Sequence, residues 1–372
     1  MNRREKMKYV APIARWKIDS DEERKLAEKA DSDFAARRDY VAFYKKNDPV
    51  YYEKGLPLIE KTIYEFLGGE LTEKEKEWLT IDMIYSLHRF GCMFKEYFIF
   101  QFYKLSTIGR EEFITDKKRY PFYTAFNTQE NHELFTNKSE TYKVFAKYYK
   151  RDILTIEKDS DFDKFQMFVK KHPKYMVKPL WGSLGQGIQI VDDNSYEFFS
   201  GLLPKKEKPE YICEELIVQD TMMGRLHPAS INTVRVPTVV CKDGVHIFHP
   251  VLRIGINNSI VDNGGSGGIL ANVDTDTGIV YTAGFDESGN RYVTHPNSRV
   301  PIVGFQIPRW NEAKSLAIEL AQITDNRYTG WDLALTDSGW VMVEGNDCGE
   351  FIMQIADKVG RKKELDALIS NI

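Results

Sequence analysis

The sequence is poor in cysteine and has no long apolar run. Its four cysteines, Cys92, Cys213, Cys241 and Cys348, lie far apart and form no C-x-x-C pair, so the spacing of a disulfide framework or a zinc site is missing. We expect reduced thiols and a cytoplasmic protein. Charges break the most apolar segment, FKEYFIFQFYK, well short of the roughly 18 residues that span a membrane. The run YVAPIA is shorter than the roughly 7 to 15 residues of a secretory signal. We therefore expect no transmembrane segment, and peripheral membrane attachment stays open.

An excess of basic charge is also missing. Lys and Arg number 51 against 55 Asp and Glu, which gives a net charge of −4 and no electrostatic reason to bind nucleic acid. Low-complexity tracts and internal repeats are absent as well. With 42% hydrophobic and 28% charged residues, the chain is neither disordered nor collagen-like. Its 372 residues predict two or three domains at roughly 150 residues each.

The first third of the chain has the pattern of amphipathic helices. Apolar residues recur at three- and four-residue intervals in SDEERKLAEKADSDFAARRDYVAFYKK and LTEKEKEWLTIDMIYSLHRF, as on the buried face of a helix. Thr72 and Glu75 have the spacing of a capping box. We predict a helical N-terminal region over residues 1–120.

Beyond residue 120 the composition predicts an α+β body. Segments such as YMVKPL, YICEELIV, TVRVPTVVC, VHIFHPVLRIG and GWVMVEG read as strands, and NEAKSLAIELAQIT reads as a long helix. The turn signals CKDGV and DSGW predict hairpins. The sheet should therefore be largely antiparallel.

A lysine and a glycine-rich turn form the first chemical motif, in YMVKPLWGSLGQGIQIV. A predicted strand delivers Lys178, and Pro179 ends it before Gly182, Ser183, Gly185 and Gly187. Glycines let backbone N–H groups approach an anion, and a lysine adds a point charge for phosphate. An ordinary glycine hairpin with a surface lysine is an equal alternative at this point.

A carboxylate-bearing hairpin forms the second motif, GWDLALTDSGWVMVEGN. Strand alternation puts Glu344 and Asn346 on one face, and hairpin pairing can bring Asp332 opposite them. Two carboxylates and an amide oxygen suit Mg²⁺. A solvated hairpin is the alternative, but Glu344 interrupts the apolar run VMVEGN, where a charge is costly without a partner.

The third motif is YICEELIVQD, an apolar strand that carries Glu214 and Glu215. A carboxylate and the following backbone could contact an adenine edge, and Gln219 or Asp220 could reach a ribose hydroxyl. A strand end with two surface acids is the simpler reading of this segment alone.

The order of these three motifs resembles the ATP-grasp fold. With HPASINTVRVPT, GGSGGILANVD, THP, GFQIPRW and GWDLAL…VEGN, the chain more closely resembles the sugar-transfer-associated ATP-grasp family over about residues 85 to 360. The resemblance implies two α+β subdomains that clamp ATP, one over residues 121–210 with a phosphate lid and one over residues 211–372 with a metal site.

The resemblance also implies roles for single residues. Lys178 and Lys138 would contact the ATP phosphates, although Lys143 is close enough to leave that placement open. The lid over the phosphates would be Gly182, Ser183, Gly185, Gln186 and Gly187. Glu214, Glu215 and Ile217 would form the adenine hinge, with Asp220 at the ribose. Asp332, Glu344 and Asn346 would hold Mg²⁺, usually as two ions.

Arg235 interrupts the apolar pattern TVRVPTVV, where a buried guanidinium needs an anion. We favour a catalytic role in which Arg235 neutralises the transferred phosphoryl group, and the alternative is a structural pair with Asp or Glu. Asn232, as a catalytic candidate, and Ser230, as a substrate contact, are expected to face the same site.

Further substrate contacts are predicted from His-Pro turns and a glycine cluster. His227 and His295 each precede a proline, and Gly267 and Gly268 belong to GGSGG; each feature has a structural alternative. Asp274 could join the metal or acceptor site, although DTDTG is typical of a tight turn.

The resemblance implies an ATP- and Mg²⁺-dependent ligase that joins a carboxylate to an amine through an acyl phosphate. Its substrates would be small molecules or glycan precursors, on a route to a sugar or surface polysaccharide. Two alternatives stay open: a kinase for a small molecule or sugar, and a non-catalytic nucleotide-binding scaffold for a glycosyltransferase.

Overall fold

The computed structural model describes residues 20–180, 187–205, 210–349 and 351–371, without the side chains of residues 121, 124 and 125. Four predicted lid residues, Gly182, Ser183, Gly185 and Gln186, lie outside the described residues, so their placement stays a prediction.

The N-terminal third is helical, as predicted. Its helices are Asp21–Ser32, Phe34–Asn47, Pro49–Leu67, Glu73–Phe90, Phe94–Ile99 and Thr107–Glu111, with a 3-10 turn at Phe102–Lys104. The capping box is confirmed: Thr72 N donates to Glu75 Oε2 over 2.8 Å, and Glu75 N donates to Thr72 Oγ1 over 3.3 Å. Across the described part of the chain, no helix has both the length and the apolar character needed to cross a membrane.

A four-stranded antiparallel sheet follows. Its strands are β1 (Ile153–Thr155), β2 (Tyr175–Pro179), β3 (Gln189–Val191) and β4 (Tyr211–Glu215), in the order β1-β4-β2-β3. Helices Phe162–Lys171 and Tyr196–Leu202 pack on it around Phe165 and Phe199. The predicted subdomain boundary at residue 210 would therefore separate β4 from the other three strands of this sheet.

The C-terminal half contains an eight-stranded sheet. Its strands are β5 (Thr233–Cys241), β6 (Gly244–Ile247), β7 (Val251–Ile254), β8 (Ile269–Asn272), β9 (Gly284–Phe285), β10 (Arg291–Tyr292), β11 (Tyr328–Thr336) and β12 (Gly339–Asn346). The order is β10-β9-β8-β7-β5-β11-β12, and β6 pairs with β5. Both predicted hairpins, β5–β6 and β11–β12, are confirmed as antiparallel pairs. The predicted single strand VHIFHPVLRIG is two strands, because His249 adopts φ +47° and Pro250 cannot donate to a ladder.

The remaining helices connect and cover these sheets. They are Asp116–Phe126, Gln129–Thr136, Lys138–Tyr149, Thr221–Gly224, Trp310–Ala321, Met353–Asp357 and Lys362–Ile369, with 3-10 turns at Asp159–Asp161 and Gly264–Ser266.

Strand alternation gives the large sheet two different faces. Val234, Trp331 and Leu333 pack in a core with helix Trp310–Ala321. Val251 and Tyr328 lie in the core formed by the N-terminal helices. Because side chains alternate along a strand, Arg235, Arg253 and Asp332 project from the face opposite to Val234, Leu252 and Trp331. The charged side chains of three neighbouring strands, β7, β5 and β11, therefore lie on the same face of the sheet.

Candidate functional site

Asp332 lies at the centre of a cluster of buried charges. Strand register places it opposite Glu344 on β12 and Arg235 on β5. Arg235 Nε and Nη2 each donate to one Asp332 oxygen over 2.7 Å, and Arg253 Nη1 also donates to Oδ2. Both arginines are less than 10% exposed. The anion predicted beside Arg235 is therefore, within this chain, the carboxylate of Asp332.

Asn346 completes the predicted metal group. Its Nδ2 lies 3.4 Å from Glu344 Oε1 and 3.5 Å from Asp332 Oδ2. The structure thus brings Asp332, Glu344 and Asn346 side by side, across a bulge in the β11–β12 ladder after Asp332.

The two carboxylates differ in their electrostatics. Burial alone would raise the pKa of Asp332, but Arg235 and Arg253 hold that pKa well below its usual range. Removal from water raises the pKa of Glu344, and the neighbouring Asp332 carboxylate raises it further. Arg253, Arg235 and Lys138 oppose both effects without cancelling them. A cation between the two carboxylates would relieve the remaining repulsion.

A second charged group connects the two sheets. Lys178 Nζ on β2 lies 2.8 Å from Glu214 Oε2 on β4. Arg151 donates to the same oxygen over 3.1 and 3.2 Å, and its Nη1 donates to the carbonyl of Met342 on β12 over 2.7 Å. Burial alone would raise the pKa of Glu214, but Lys178 and Arg151 lower it. Arg151 therefore holds the lysine-bearing sheet against the strand that carries Glu344.

Lys138 lies between these two groups. It is the first residue of helix Lys138–Tyr149, which Asn137 caps. Burial lowers the pKa of Lys138, the nearby Lys178 lowers it further, and Glu344 opposes both effects. Lys143 instead lies exposed on the same helix, paired with Glu140 over 2.8 Å. Of the two lysines, Lys138 is the one that faces Lys178 and Glu344.

The residues fit a magnesium ion with a polyphosphate. Asp332 and Glu344 offer the hard oxygen ligands that Mg²⁺ takes, and the repulsion between them is a physical reason for a cation. Asn346 turns its amide nitrogen toward both carboxylates, so its amide would have to rotate for its oxygen to join them. Lys138 and Lys178 supply the positive charge that phosphates need. Glu215, predicted to lie in the adenine hinge, has a partner within the protein: its Oε2 accepts a hydrogen bond from Asp152 N over 2.9 Å.

Two predicted nucleotide contacts lie in the segment after β4. Ile217 is half-buried there. Asp220 caps helix Thr221–Gly224, and its Oδ1 accepts from Met222 N over 2.8 Å. The Asp220 carboxylate is thus already used locally, and its contact with a ribose stays a prediction.

Four predicted catalytic or substrate residues form a separate network: His227, Ser230, Asn232 and His295. His227 bonds Ser230 Oγ over 2.9 Å, and His295 Nε2 donates to the Gly255 carbonyl over 2.8 Å. Burial lowers the pKa of His295. Asn232 Nδ2 donates to Gln219, Met223 and His227. His227 and Ser230 bind each other, and the other two side chains bind mainly backbone carbonyls. The predicted roles of all four in catalysis or substrate binding stay predictions.

The glycine loop before β8 is held by its own hydrogen bonds. The N–H groups of residues 265 to 268 all donate to oxygens of Asn263 or Gly264. Gly267 has φ +88°, and a Cβ at Gly268 would meet the Asp262 carbonyl oxygen at 2.3 Å. These glycines are therefore explained by the loop itself, without an anion. Asp274 makes the tight turn that its sequence favours, accepting from Thr277 N over 2.8 Å.

Three charged residues of the site were absent from the predictions: Arg151, Arg253 and Asp262. Arg253 had a signal, because it interrupts the apolar strand VLRIG as Arg235 interrupts TVRVP. Arg151 and Asp262 lie in connecting segments without periodicity, so no pattern singles them out.

Comparison with known proteins identifies the family. Residues 117–369 match the family described as Sugar-transfer associated ATP-grasp. The chain belongs to this family. Its fold is accordingly the ATP-grasp fold, preceded by a helical N-terminal region. No curated protein matches the chain.

Solved ATP-grasp structures resemble the chain at low identity. The ATP-grasp ligase PsnB, in complex with minimal precursor, Mg and ADP, is 14% identical with a TM-score of 0.41, over 66% of this chain and 61% of that one. D-alanyl-alanine synthetase A from Vibrio cholerae is 13% identical with a TM-score of 0.38, over 64% and 62%. Carboxyaminoimidazole ribonucleotide synthase from Aspergillus clavatus, complexed with ATP, is 12% identical with a TM-score of 0.38, over 60% and 47%. In each case the match spans less than two thirds of the other protein's chain.

Proposed function

We propose that the protein is an ATP- and Mg²⁺-dependent ligase that joins a carboxylate to an amine. Membership of an ATP-grasp family supports the use of ATP. One observation carries the proposal most directly: Arg151 donates to Glu214, the partner of Lys178, and also to the Met342 carbonyl on the strand that carries Glu344. This contact supports one shared site for Lys178 of the smaller sheet, Lys138 at the start of its helix and the carboxylates of the larger sheet.

Each group has a role in this proposal. Lys138 and Lys178 bind the ATP phosphates, and Asp332, Glu344 and Asn346 hold Mg²⁺, which supplies charge neutralisation when bound. Arg235 stabilises the charge on the transferred phosphoryl group. Catalysis rests on positioning and charge, so no nucleophilic side chain is required.

The proposed reaction has two steps. A substrate carboxylate oxygen attacks the γ-phosphorus, the bond from that phosphorus to the β–γ bridging oxygen breaks, and ADP leaves. The amine nitrogen then attacks the acyl carbon of the acyl phosphate, loses a proton and expels inorganic phosphate, which leaves an amide. The family description alone suggests a sugar or surface-polysaccharide precursor as the substrate. The spacing of the four cysteines is the basis for proposing a cytoplasmic enzyme.

A screen for ADP release, with carboxylates tested against amines, tests the proposal. We expect release of ADP and phosphate only when both substrates are present. Glu344→Gln should abolish this release, and Lys143→Met, on the exposed helix face, should retain it. A stable phosphorylated product formed without an amine would show a kinase instead.

A further inference from the structure

A histidine, an aspartate and a cysteine meet just after the end of β12. His132 Nδ1 lies 2.7 Å from Asp347 Oδ2, and Cys348 Sγ lies 3.5 Å from the same oxygen and 3.9 Å from Nδ1. His132 and Asp347 are 2% and 4% exposed, and Cys348 is half-buried. Because His132 comes 216 residues before Cys348, the group does not have the sequence spacing of a zinc motif.

Contacts outside this group hold its members together. Asn127 Nδ2 donates to the backbone carbonyl of Asp347 over 2.6 Å. Phe135 lies one turn after His132 in helix Gln129–Thr136 and packs against Gly345, where an added Cβ would meet the Phe135 ring at 2.6 Å. The close approach of this helix to β12 therefore brings His132 to the Asp347 carboxylate.

The three side-chain atoms have nearly the separations of ligands in a zinc site. Zinc bonds of about 2.3 Å to sulfur and about 2.0–2.2 Å to nitrogen and oxygen place tetrahedral ligands about 3.4–3.6 Å apart. The separations of 2.7, 3.5 and 3.9 Å reach these values by shifts of less than about 1 Å. The buried Nε2 of His132 has no hydrogen-bond partner in the described part of the chain, so no hydrogen bond there opposes a small rotation of the ring.

The ligand chemistry differs from that of the neighbouring magnesium group. Asn346 turns its amide toward Asp332 and Glu344, whereas the next residue, Asp347, turns toward His132. Mg²⁺ takes hard oxygen ligands, whereas a thiolate and an imidazole favour Zn²⁺ and similar ions. Two adjacent residues therefore belong to groups that select different cations.

Two other groups of potential ligands occur among the described residues. They are Cys241 with Asp243 and His246, and Asp152 with His172 and Glu215. The side chains of Asp243 and His246 are 54% and 37% exposed, and Asp152 already pairs with Lys171. Solvent exposure or a competing cation makes each of them a poorer metal site than the buried pair at His132 and Asp347.

We propose that His132, Asp347 and Cys348 bind one Zn²⁺ or a similar borderline-soft divalent ion, with water in the fourth position. The ion joins helix Gln129–Thr136 to the segment that follows Asn346, next to the magnesium group. This proposal does not depend on the ligase reaction.

Zinc titration in excess Mg²⁺ tests the proposal without turnover. By isothermal titration, the wild type should bind one Zn²⁺ tightly, and Cys348→Ser and His132→Gln should each bind it at least about tenfold more weakly. The matched controls Cys241→Ser and His246→Gln should bind as the wild type does. With Co²⁺ as the probe, the wild type should show the absorption of thiolate-to-cobalt charge transfer, and Cys348→Ser should lack it.

Three results would overturn the proposed site: no Zn²⁺ binding by the wild type in excess Mg²⁺, a charge-transfer band that persists in Cys348→Ser, or a loss of Zn²⁺ binding in Cys241→Ser instead. If His132→Gln does not fold, Cys348→Ser decides, because it keeps the pair of His132 and Asp347. These measurements involve no acid, amine or ATP, so failure of the ligase assignment leaves their outcome unchanged.

Discussion

Asp332 and Glu344 face each other across β11 and β12, yet their carboxylates have opposite environments. Two buried guanidiniums hold the pKa of Asp332 low. Burial and Asp332 raise the pKa of Glu344, and the nearby cations offset this rise only in part. We predict that Asp332→Asn lowers the free energy of unfolding by about 3–5 kcal/mol, because it leaves buried arginines without their counter-charge. Glu344→Gln should leave that free energy unchanged or raise it. Urea unfolding of the ligand-free protein measures both, and equal destabilisation by the two variants would contradict this view of the cluster.

Lys138 and Lys143 form a matched pair on one helix. Lys138 faces the site, and Lys143 pairs with Glu140 in solvent. Lys138→Met should weaken the binding of Mg·ATP by about 10- to 100-fold, because a charge-assisted contact to phosphate is lost. Lys143→Met should bind as the wild type does. Isothermal titration decides this, and a larger loss at residue 143 would exchange the two assignments.

At the scale of elements, the backbone at Gly187, just before β3, favours glycine. Its φ is +73°, and a Cβ there would lie 2.9 Å from Pro179 Cγ. Gly187→Ala should therefore cost about 1–3 kcal/mol of unfolding free energy. Gly201→Ala is the control, because this helical glycine has no neighbour within 4 Å of the added carbon, and alanine there should stabilise by about 0.5–1 kcal/mol. The expected destabilisation is wrong if Gly187→Ala is as stable as the wild type.

The sequence predicts strands and charged interruptions better than loops. Arg235, Asp332 and Glu344 stand out because each breaks an apolar strand pattern, and strand alternation then places them correctly relative to their neighbours. Arg253 interrupts the apolar run VLRIG in the same way. The sequence does not show whether Lys138 or Lys143 faces the site. The answer depends on how helix Lys138–Tyr149 is oriented against the sheets.

Loop residues were harder to predict because their roles depend on tertiary contacts. Arg151 joins Glu214 to the carbonyl of Met342, which lies 191 residues away in sequence. Asp262 lies beside Arg253 of β7 because Thr233 of the neighbouring strand β5 holds its carboxylate. The glycines at 267 and 268 suggested an anion site, whereas the loop uses their N–H groups itself. Periodicity carries no information about such contacts.

At the scale of the whole molecule, Arg151 is a buried connection between the two sheets. We predict that Arg151→Met destabilises the protein by about 3 kcal/mol, because Glu214 then keeps only Lys178 and the Met342 carbonyl loses a donor. The double variant with Glu214→Gln should be less destabilised than the sum of the single variants, since the two residues share one interaction. A double-mutant cycle by urea unfolding checks this, and strict additivity would exclude the coupling.

The central claim is that Lys178 of the smaller sheet, Lys138 at the start of its helix and the carboxylates of the larger sheet bind one Mg²⁺–nucleotide complex. Calorimetric titration of a non-hydrolysable ATP analogue, with and without Mg²⁺, tests it most directly. We expect the wild type to bind much more tightly with Mg²⁺ than without it, and Glu344→Gln to lose most of this difference while keeping the fold. Equal binding with and without Mg²⁺, or a Glu344→Gln variant that retains the full effect of Mg²⁺, would contradict the claim.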